Sequence, residues 1–250
     1  MSAYMIGYVG MTHLGLNSAV AAADKGYETV CFDPDPVLIA KLSQHELPIV
    51  EPDLPKLLEK NSGRILFTSD PSQLSLCDVV YIAPDVPTNE NGKSDLSRID
   101  ELINQVEPVL SQNTVIVILS QVPPGFTRAR LCPGRLLYYQ VETLIFGRAM
   151  ERARFPERFI VGCAEPSELL PQAFANFLGS FGCPILPMRY ESAELAKISI
   201  NMCLVASIGV ANTMSELCEQ TGADWSEIVP ALKLDRRIGP YSYLSTGLGI

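Results

Sequence analysis

The residues with the clearest capacity for chemistry form a glycine-rich turn near the start of the chain and an acidic residue beyond it. The turn reads Gly10-Met11-Thr12-His13-Leu14-Gly15, with Thr12 at the place of the middle glycine in the dinucleotide-binding pattern Gly-x-Gly-x-x-Gly. Asp33 follows Gly10 at about the 20-residue separation expected for a carboxylate that binds the ribose of a dinucleotide. We therefore predict a cofactor site built from this turn and Asp33.

Each position of the turn has a physical task. Gly10 permits a tight change of chain direction, and Gly15 lets the following helix pack closely on the strand. Free N–H groups at the start of that helix hold a pyrophosphate, which makes Thr12, His13 and Leu14 neighbours of the cofactor. We expect His13 to pack on the helix start and not to act as a base.

The acidic residue selects the cofactor. A carboxylate at Asp33 accepts hydrogen bonds from ribose hydroxyls and repels the 2′-phosphate of NADP, so the sequence favours NAD. The Thr12 side chain stands where backbone should approach the pyrophosphate. A Rossmann-like domain that binds no nucleotide therefore stays an alternative.

Alternating strand and helix patterns surround this turn. Apolar and β-branched runs predict strands at residues 4–9, 28–32, 65–68, 79–82, 114–119, 159–161 and 184–186. The spacing of apolar residues predicts helices at 14–25 and 96–110, with Asp95 as the cap of the second. Alternating β and α units imply an α/β fold, with a Rossmann-like, doubly wound and mainly parallel sheet.

The pattern changes near residue 190, where the predicted strands cease. Residues 191–222 read as one long helix and residues 225–232 as another. We expect an NAD-binding Rossmann-like domain over residues 1–190 and a helical central segment, truncated, over residues 191–250.

The long helix carries an apolar stretch at residues 198–211, interrupted by Ser199, Asn201 and Ser207. It is interpreted as a buried helix, too short and too polar for a membrane span. Apolar residues occur on almost all sides of the helix, which predicts a homodimer through residues 191–221.

Composition limits the classes of partner and site. The formal net charge of −9 at pH 7 speaks against nucleic acid as a partner. The seven cysteines include no Cys-x-x-Cys pair or Cys/His cluster, and there are only two histidines, so neither a metal site nor a disulfide framework is expected. The first residues lack the features of a signal peptide. These observations predict a cytoplasmic protein with reduced thiols.

Further motifs follow one another along the whole chain. They are Pro48-Ile49-Val50-Glu51-Pro52, Phe67-Thr68-Ser69-Asp70, Asp78-Val79-Val80-Tyr81-Ile82-Ala83 with Pro84-Asp85-Val86-Pro87, Gly92 with Asp95-Leu96-Ser97, Ser120-Gln121-Val122-Pro123-Pro124-Gly125, Glu142 with Leu144, Gly147 and Ala149, Pro156-Glu157-Arg158-Phe159-Ile160-Val161-Gly162, Glu194-Leu195-Ala196-Lys197 with Asn201, and Asp235-Arg236-Arg237-Ile238-Gly239. Their order and spacing resemble the N-terminal and early central regions of the UDP-glucose/GDP-mannose dehydrogenase family. The resemblance implies NAD-dependent oxidation of the C6 alcohol of a nucleotide sugar to the uronate.

By this resemblance, four residues lie near the reacting carbon. Glu142 corresponds to the family's proposed base for water in thioester hydrolysis. Lys197 and Asn201, four apart on one helical face, can donate to C6 oxygens that gain negative charge. Gln121 replaces the threonine that helps to hold the catalytic water, and its amide can still hydrogen-bond water. A surface glutamate, a snorkelling lysine and a helix-packing asparagine are the alternatives.

The same resemblance implies further binding residues. Leu144 and Arg237 belong to the substrate site, and a route for Arg237 across a dimer interface is left open. Pro84, Val86 and Gln121 lie by the cofactor.

The sequence also departs from the family pattern. Thr12 replaces a glycine, and Asp85-Val86 replace a Gly-Thr pair beside the cofactor. The family's Gly-x-Gly-Gly-x-Cys segment is matched only at its start by residues 247–250, and none of the seven cysteines corresponds to its nucleophile. We expect an N-terminal fragment that binds NAD without completing the overall reaction.

Two other functions stay open at this point. One is a one-step β-hydroxyacid dehydrogenase, which shares a Rossmann domain and a Lys/Asn pair. The other is a degenerate Rossmann module that serves binding or assembly without catalysis.

Overall fold

A computed structural model describes residues 4–87 and 94–247 of the chain. Gly92 and residues 248–250, which belong to two of the motifs, lie outside the described residues. The chain divides into two compact units, one up to Leu195 and the other from Ala196 onward. This division falls inside the long helix, a few residues beyond the sequence-based boundary near residue 190.

The first unit is organised around one twisted sheet. Within the described residues its strands are β1 (Met5–Val9), β2 (Glu28–Phe32), β3 (Ile65–Thr68), β4 (Val79–Ile82), β5 (Val115–Ile118), β6 (Leu137–Gln140), β7 (Phe159–Cys163) and β8 (Ile185–Arg189). Their order is β3-β2-β1-β4-β5-β6-β7-β8. Strands β1 to β6 are parallel, whereas β7 pairs antiparallel with β6 and β8 runs parallel to β7. The predicted Rossmann-like, mainly parallel sheet is confirmed.

Helices connect these strands and continue beyond them. They are α1 (His13–Asp24), α2 (Pro36–Ser43), α3 (Leu54–Asn61), α4 (Ser97–Val106), α5 (Ala149–Arg154), α6 (Gln172–Gly179), α7 (Tyr190–Thr221) and α8 (Trp225–Leu234). Asp35 caps α2, because its side chain accepts from the N–H groups of Val37 and Leu38. The N-cap residue of α4 is Leu96, which makes no side-chain cap, so the predicted cap Asp95 lies one residue too early, although its side chain accepts from Ser97 N at 3.0 Å. Strand β6 and helices α2, α3, α5 and α6 were not predicted from the sequence.

The core of the first unit lies between the central strands and α1. Leu16, Ala19, Val20 and Ala23 of α1 are fully buried, and α1 also packs on α3 and α5. The run of small alanine side chains lets α1 approach the sheet closely. Since α1 begins directly after β1, this packing fixes the position of the glycine-rich turn.

The second unit contains most of α7 together with α8. The stretch 198–211 is helical as predicted, but its interpretation as a buried helix is wrong for the single chain. In the most apolar 18-residue window of α7, only 17% of the residues are buried, and the 32-residue helix is long and apolar enough by composition to cross a membrane. Length and composition alone are weak evidence for a span, because core helices of soluble proteins pass the same test.

Candidate functional site

The candidate cofactor site lies at the switch point of the sheet. The chain runs from β1 outward to β2 and β3, then returns to place β4 on the other side of β1. The loops after β1, β2 and β4 therefore open at the same edge, where ligands bind in sheets of this type. The structure brings the glycine-rich turn, Asp33 and Pro84–Val86 together at this edge.

Two glycines of the turn are required by its geometry. Gly10 has a φ of 94°, and a Cβ on it would lie 2.9 Å from the backbone nitrogen of Pro84. A Cβ on Gly15 would lie 1.9 Å from the carbonyl oxygen of Gly10. The turn can therefore be this tight only with glycine at both positions.

Asp33 follows β2, and its carboxylate holds the glycine-rich turn by accepting a hydrogen bond from the backbone of that turn. Its Oδ2 accepts from Met11 N at 2.9 Å, and its Oδ1 accepts from Asp35 N at 3.1 Å. The residue is only 4% exposed, while Arg98 Nη2 lies 3.6 Å from Oδ1. Each carboxylate oxygen keeps a second lone pair for a ribose hydroxyl. Arg98 was not identified from the sequence, because its proximity to Asp33 depends on where α4 begins.

The side chain of Thr12 links the turn to the loop after β4. Its hydroxyl donates to the carbonyl oxygen of Ala83 at 3.2 Å and accepts from Asp85 N at 3.0 Å. Asp85 in turn uses Oδ2 to accept from His13 N at 3.2 Å. A carboxylate therefore stands at the first N–H of α1, the place expected for a phosphate.

His13 packs at the start of α1, as predicted from the sequence. Its Nε2 lies 2.7 Å from Glu51 Oε1, and its ring lies 4.2 Å from that of Phe146. Glu51 is 3% exposed and also accepts from the N–H groups of Gly147 and Ala149. Burial alone would raise the pKa of Glu51, but these hydrogen bonds outweigh it, so its pKa is lowered. Leu14 is buried in the first turn of α1.

A second buried carboxylate organises the loop that carries Gln121. Glu194, fully buried in the first turns of α7, accepts from Gly125 N and, at 2.9 Å, from Thr127 N. Gln121 is exposed at the start of this loop, next to Ser120, which donates to the carbonyl oxygen of Pro84. The sequence motifs included Glu51 and Glu194 without assigning them a role; the signal available was an acidic residue in a largely apolar segment.

Glu142 follows β6 and lines a small cavity. It is partly buried and accepts a hydrogen bond from Thr143 N. The cavity has a volume of about 40 Å³ and is also lined by Tyr8, Tyr81 and Gln140. Burial is the main cause that raises the pKa of both tyrosines, with Glu142 contributing in each case. The cavity wall also includes the charged side chains of Arg152 and Arg158. Leu144, two residues on, packs against the core.

The remaining predicted residues belong to the second unit. Lys197 and Asn201 lie one turn apart on α7, partly buried and exposed respectively. Arg237 follows α8 and pairs with Asp235 at 2.7 Å. Among the residues that the structure describes, no group of three His, Cys, Asp or Glu is placed to hold a metal ion.

Comparison with known proteins agrees with this geometry. Residues 4–176 match the model described as UDP-glucose/GDP-mannose dehydrogenase family, NAD binding domain, and residues 191–250 match its central domain. The chain is 31% identical to UDP-glucose 6-dehydrogenase TuaD of Bacillus subtilis, covering 98% of this chain and 55% of the relative. It is 32% identical to UDP-glucose 6-dehydrogenase of Pseudomonas aeruginosa, covering 96% and 57%.

Solved structures show the same likeness. A UDP-glucose dehydrogenase from the archaeon Pyrobaculum islandicum superimposes with a TM-score of 0.85 at 26% identity, covering all of this chain and 60% of that one. The chain thus spans little more than half the length of the relatives it matches. The matched NAD binding domain confirms NAD as the predicted cofactor.

Proposed function

The chain belongs to the UDP-glucose/GDP-mannose dehydrogenase family, and we propose that its parent protein oxidises the C6 alcohol of a nucleotide-diphosphate sugar, UDP-glucose in type, to the uronate. The observation that carries the proposal is the meeting of Gly10, Gly15 and Asp33 at the switch point of the sheet. This edge is where sheets of this type bind dinucleotides.

The residues at the switch point fit NAD. Glycine is required at positions 10 and 15, because a Cβ there would collide with Pro84 or with the Gly10 carbonyl oxygen, so the turn has the tight geometry of a dinucleotide-binding turn. Asp33 has lone pairs for the ribose hydroxyls, and α1 presents its N-terminus. We place Thr12, His13 and Leu14 along the pyrophosphate.

The loops after β4 and β5 complete the proposed cofactor site. Pro84 is buried and packs against Gly10, whereas Val86 is partly exposed at the same edge. Gln121 follows β5, next in the sheet. When bound, NAD supplies the acceptor for the hydride that leaves the alcohol carbon.

Glu142 and Gln121 are the proposed polar groups of the first unit at the substrate carbon. Glu142 borders a small cavity that Arg152 and Arg158 also line, and its carboxylate can accept a proton from water there. Gln121 is exposed and has an amide that can orient that water. Leu144 would limit the space beside the sugar.

Lys197, Asn201 and Arg237 are the proposed contributions of the second unit. Lys197 and Asn201 project from one face of α7 and can both donate to oxygens that gain negative charge. The Arg237 guanidinium is 89% exposed, so it is accessible to a phosphate or a sugar hydroxyl.

We also propose that the protein is a cytoplasmic homodimer that associates through α7. The helix exposes apolar side chains, with Met202 64%, Val205 52%, Val210 56% and Leu217 46% exposed. Surface of this kind is stabilised when a second copy covers it. Static light scattering is expected to give twice the mass of the chain, and a monomeric mass would contradict the dimer.

The free thiol state of all seven cysteines suits a reducing compartment, which supports the cytoplasmic location that we propose.

Calorimetric titration of the chain with NAD and NADP tests the cofactor site. We expect NAD to bind and NADP to bind at least about tenfold more weakly, because Asp33 repels the additional phosphate. The Asp33→Asn substitution should reduce the difference between the affinities for NAD and NADP. Equal affinity for both dinucleotides in the unchanged chain would contradict the role of Asp33. Failure of both to bind, here and in an Asp85→Asn variant, would favour a non-catalytic Rossmann module.

A further inference from the structure

The first turn of α1 already has an anionic partner within the chain. The Asp85 carboxylate accepts from His13 N at 3.2 Å, and the backbone N–H of Asp85 donates to the Thr12 hydroxyl at 3.0 Å. Thr12 also donates to Ala83. Side chains thus bridge the two loops between which a dinucleotide must pass at the switch point.

This arrangement differs from a neutral glycine-rich turn in both shape and charge. A glycine at position 12 would leave the backbone of the turn bare, whereas the Thr12 side chain fills that space. A carboxylate at the helix N-terminus satisfies the same N–H group and the same positive end of the helix dipole that a phosphate would use. The Asp85 carboxylate and a phosphate at the same helix N-terminus are both negatively charged and therefore repel each other.

We propose that the Asp85 carboxylate competes with the diphosphate of NAD for the first turn of α1, so that Asp85 and Thr12 set the affinity of the chain for its cofactor. The inference rests on the proposed NAD binding at this turn. It predicts that any ligand with a diphosphate against α1 is weakened, and that a ligand without phosphate is not.

The competing group can leave only by rotation of the Asp85 side chain. Pro84 is held in place, because the buried hydroxyl of Ser120 donates to its carbonyl oxygen and its backbone packs against Gly10. Asp85 itself is exposed, so its carboxylate can turn toward solvent without opening the core. Binding of the diphosphate therefore requires the loss of one hydrogen bond from His13 N, not the movement of the whole loop.

The test compares ligands with and without a diphosphate on matched variants of the whole chain. Asp85→Asn removes the charge and keeps the size of the side chain. Asp224→Asn is the control, because Asp224 also caps a helix through one backbone N–H, that of Ser226 in the second unit, and its loss changes the net charge equally. Affinities for NAD, ADP and adenosine are measured by calorimetry, with ligand-observed NMR for adenosine.

We expect Asp85→Asn to bind NAD and ADP about tenfold more tightly than the unchanged chain, since one like charge within a few ångströms is removed from a partly solvated site. Adenosine affinity and the Asp224→Asn control should stay within about twofold. Thr12→Gly should tighten NAD and ADP further by clearing the turn.

Three outcomes separate a failure of the proposed competition by Asp85 from a failure of the proposed NAD binding. Unchanged NAD and ADP affinity in Asp85→Asn, with NAD still bound by the unchanged chain, would overturn the competition and leave the NAD site intact. An equal gain for adenosine would also overturn it, because the effect would then not depend on phosphate. If neither the chain nor Asp85→Asn binds NAD or ADP, the proposed NAD binding fails and the competition fails with it.

Discussion

The buried carboxylate of Glu51 offers a direct test of how the site is held together. It accepts from His13 Nε2 at 2.7 Å, from Gly147 N at 2.9 Å and from Ala149 N at 3.3 Å. These bonds join the start of α1 to the start of α5. Glu51→Ala would leave two backbone N–H groups and the His13 ring without their acceptor in a buried place. Removing one partner of such a buried, charged network costs about 3–5 kcal/mol.

A more conservative change separates the charge from the contacts. In Glu51→Gln an amide oxygen in the place of Oε1 still accepts from His13 Nε2 and from Gly147 N, whereas the amide nitrogen in the place of Oε2 leaves Ala149 N without an acceptor. We expect a loss of about 1–2 kcal/mol in the free energy of unfolding, the difference between charged and neutral hydrogen bonds. Glu59→Gln, on the exposed face of α3, is the control and should change stability by less than about 0.5 kcal/mol.

Urea denaturation followed by circular dichroism measures these differences. The lowered pKa of Glu51 adds a pH dependence. A carboxyl with a lowered pKa in the folded state contributes stability above its unfolded pKa, near 4.3, and this contribution is lost as pH falls through the folded pKa. The difference in the free energy of unfolding between the chain and Glu51→Gln should therefore be full at neutral pH, begin to shrink near the unfolded pKa of about 4.3, and vanish only below the folded pKa of Glu51. A difference no larger than that of Glu59→Gln at pH 7, or one that does not shrink in acid, would refute the reasoning.

Two further predictions concern backbone packing and the loop after β5. Gly15→Ala should destabilise the chain by more than about 1 kcal/mol despite the better helix propensity of alanine, because the added Cβ would lie 1.9 Å from a backbone carbonyl oxygen. Gly179 lies at the end of α6 with no atom within 4 Å of an added Cβ, so the control Gly179→Ala should be neutral or stabilising in the same urea titration. Equal effects of the two substitutions would contradict the packing argument. Glu194→Ala should expose the amides of Gly125 and Thr127, which it binds, to hydrogen exchange about tenfold faster or more; unchanged exchange would show that the carboxylate does not hold this loop.

Much of the fold could be predicted because its signals are local. The strand at Glu28–Phe32 and the helix at His13–Asp24 follow from short apolar runs and from helical spacing of apolar residues. The glycine-rich turn and Asp33 could be related by their separation alone, because one helix and one strand of ordinary length separate them. Short elements such as β6 (Leu137–Gln140) and α5 (Ala149–Arg154) were missed, since a single turn or four residues give too little periodicity.

The burial of the long helix was misjudged for a different reason. The apolar composition of residues 198–211 shows that exposure of these side chains to water is unfavourable, but it does not show which surface covers the helix. In the single chain, most residues of this stretch are exposed and few are buried. Its environment is decided by whatever the helix packs against.

The sequence by itself indicated a mainly parallel sheet, the glycine-rich turn and NAD as the cofactor, since each depends on the type and spacing of nearby residues. Only the tertiary structure decided which distant side chains meet at that turn. Asp85 contacts His13 across 72 positions of the chain, and Glu51 contacts Gly147 across 96. Hydrogen bonds of this kind depend on distance and angle in space to within a few tenths of an ångström, and separation along the chain does not specify them.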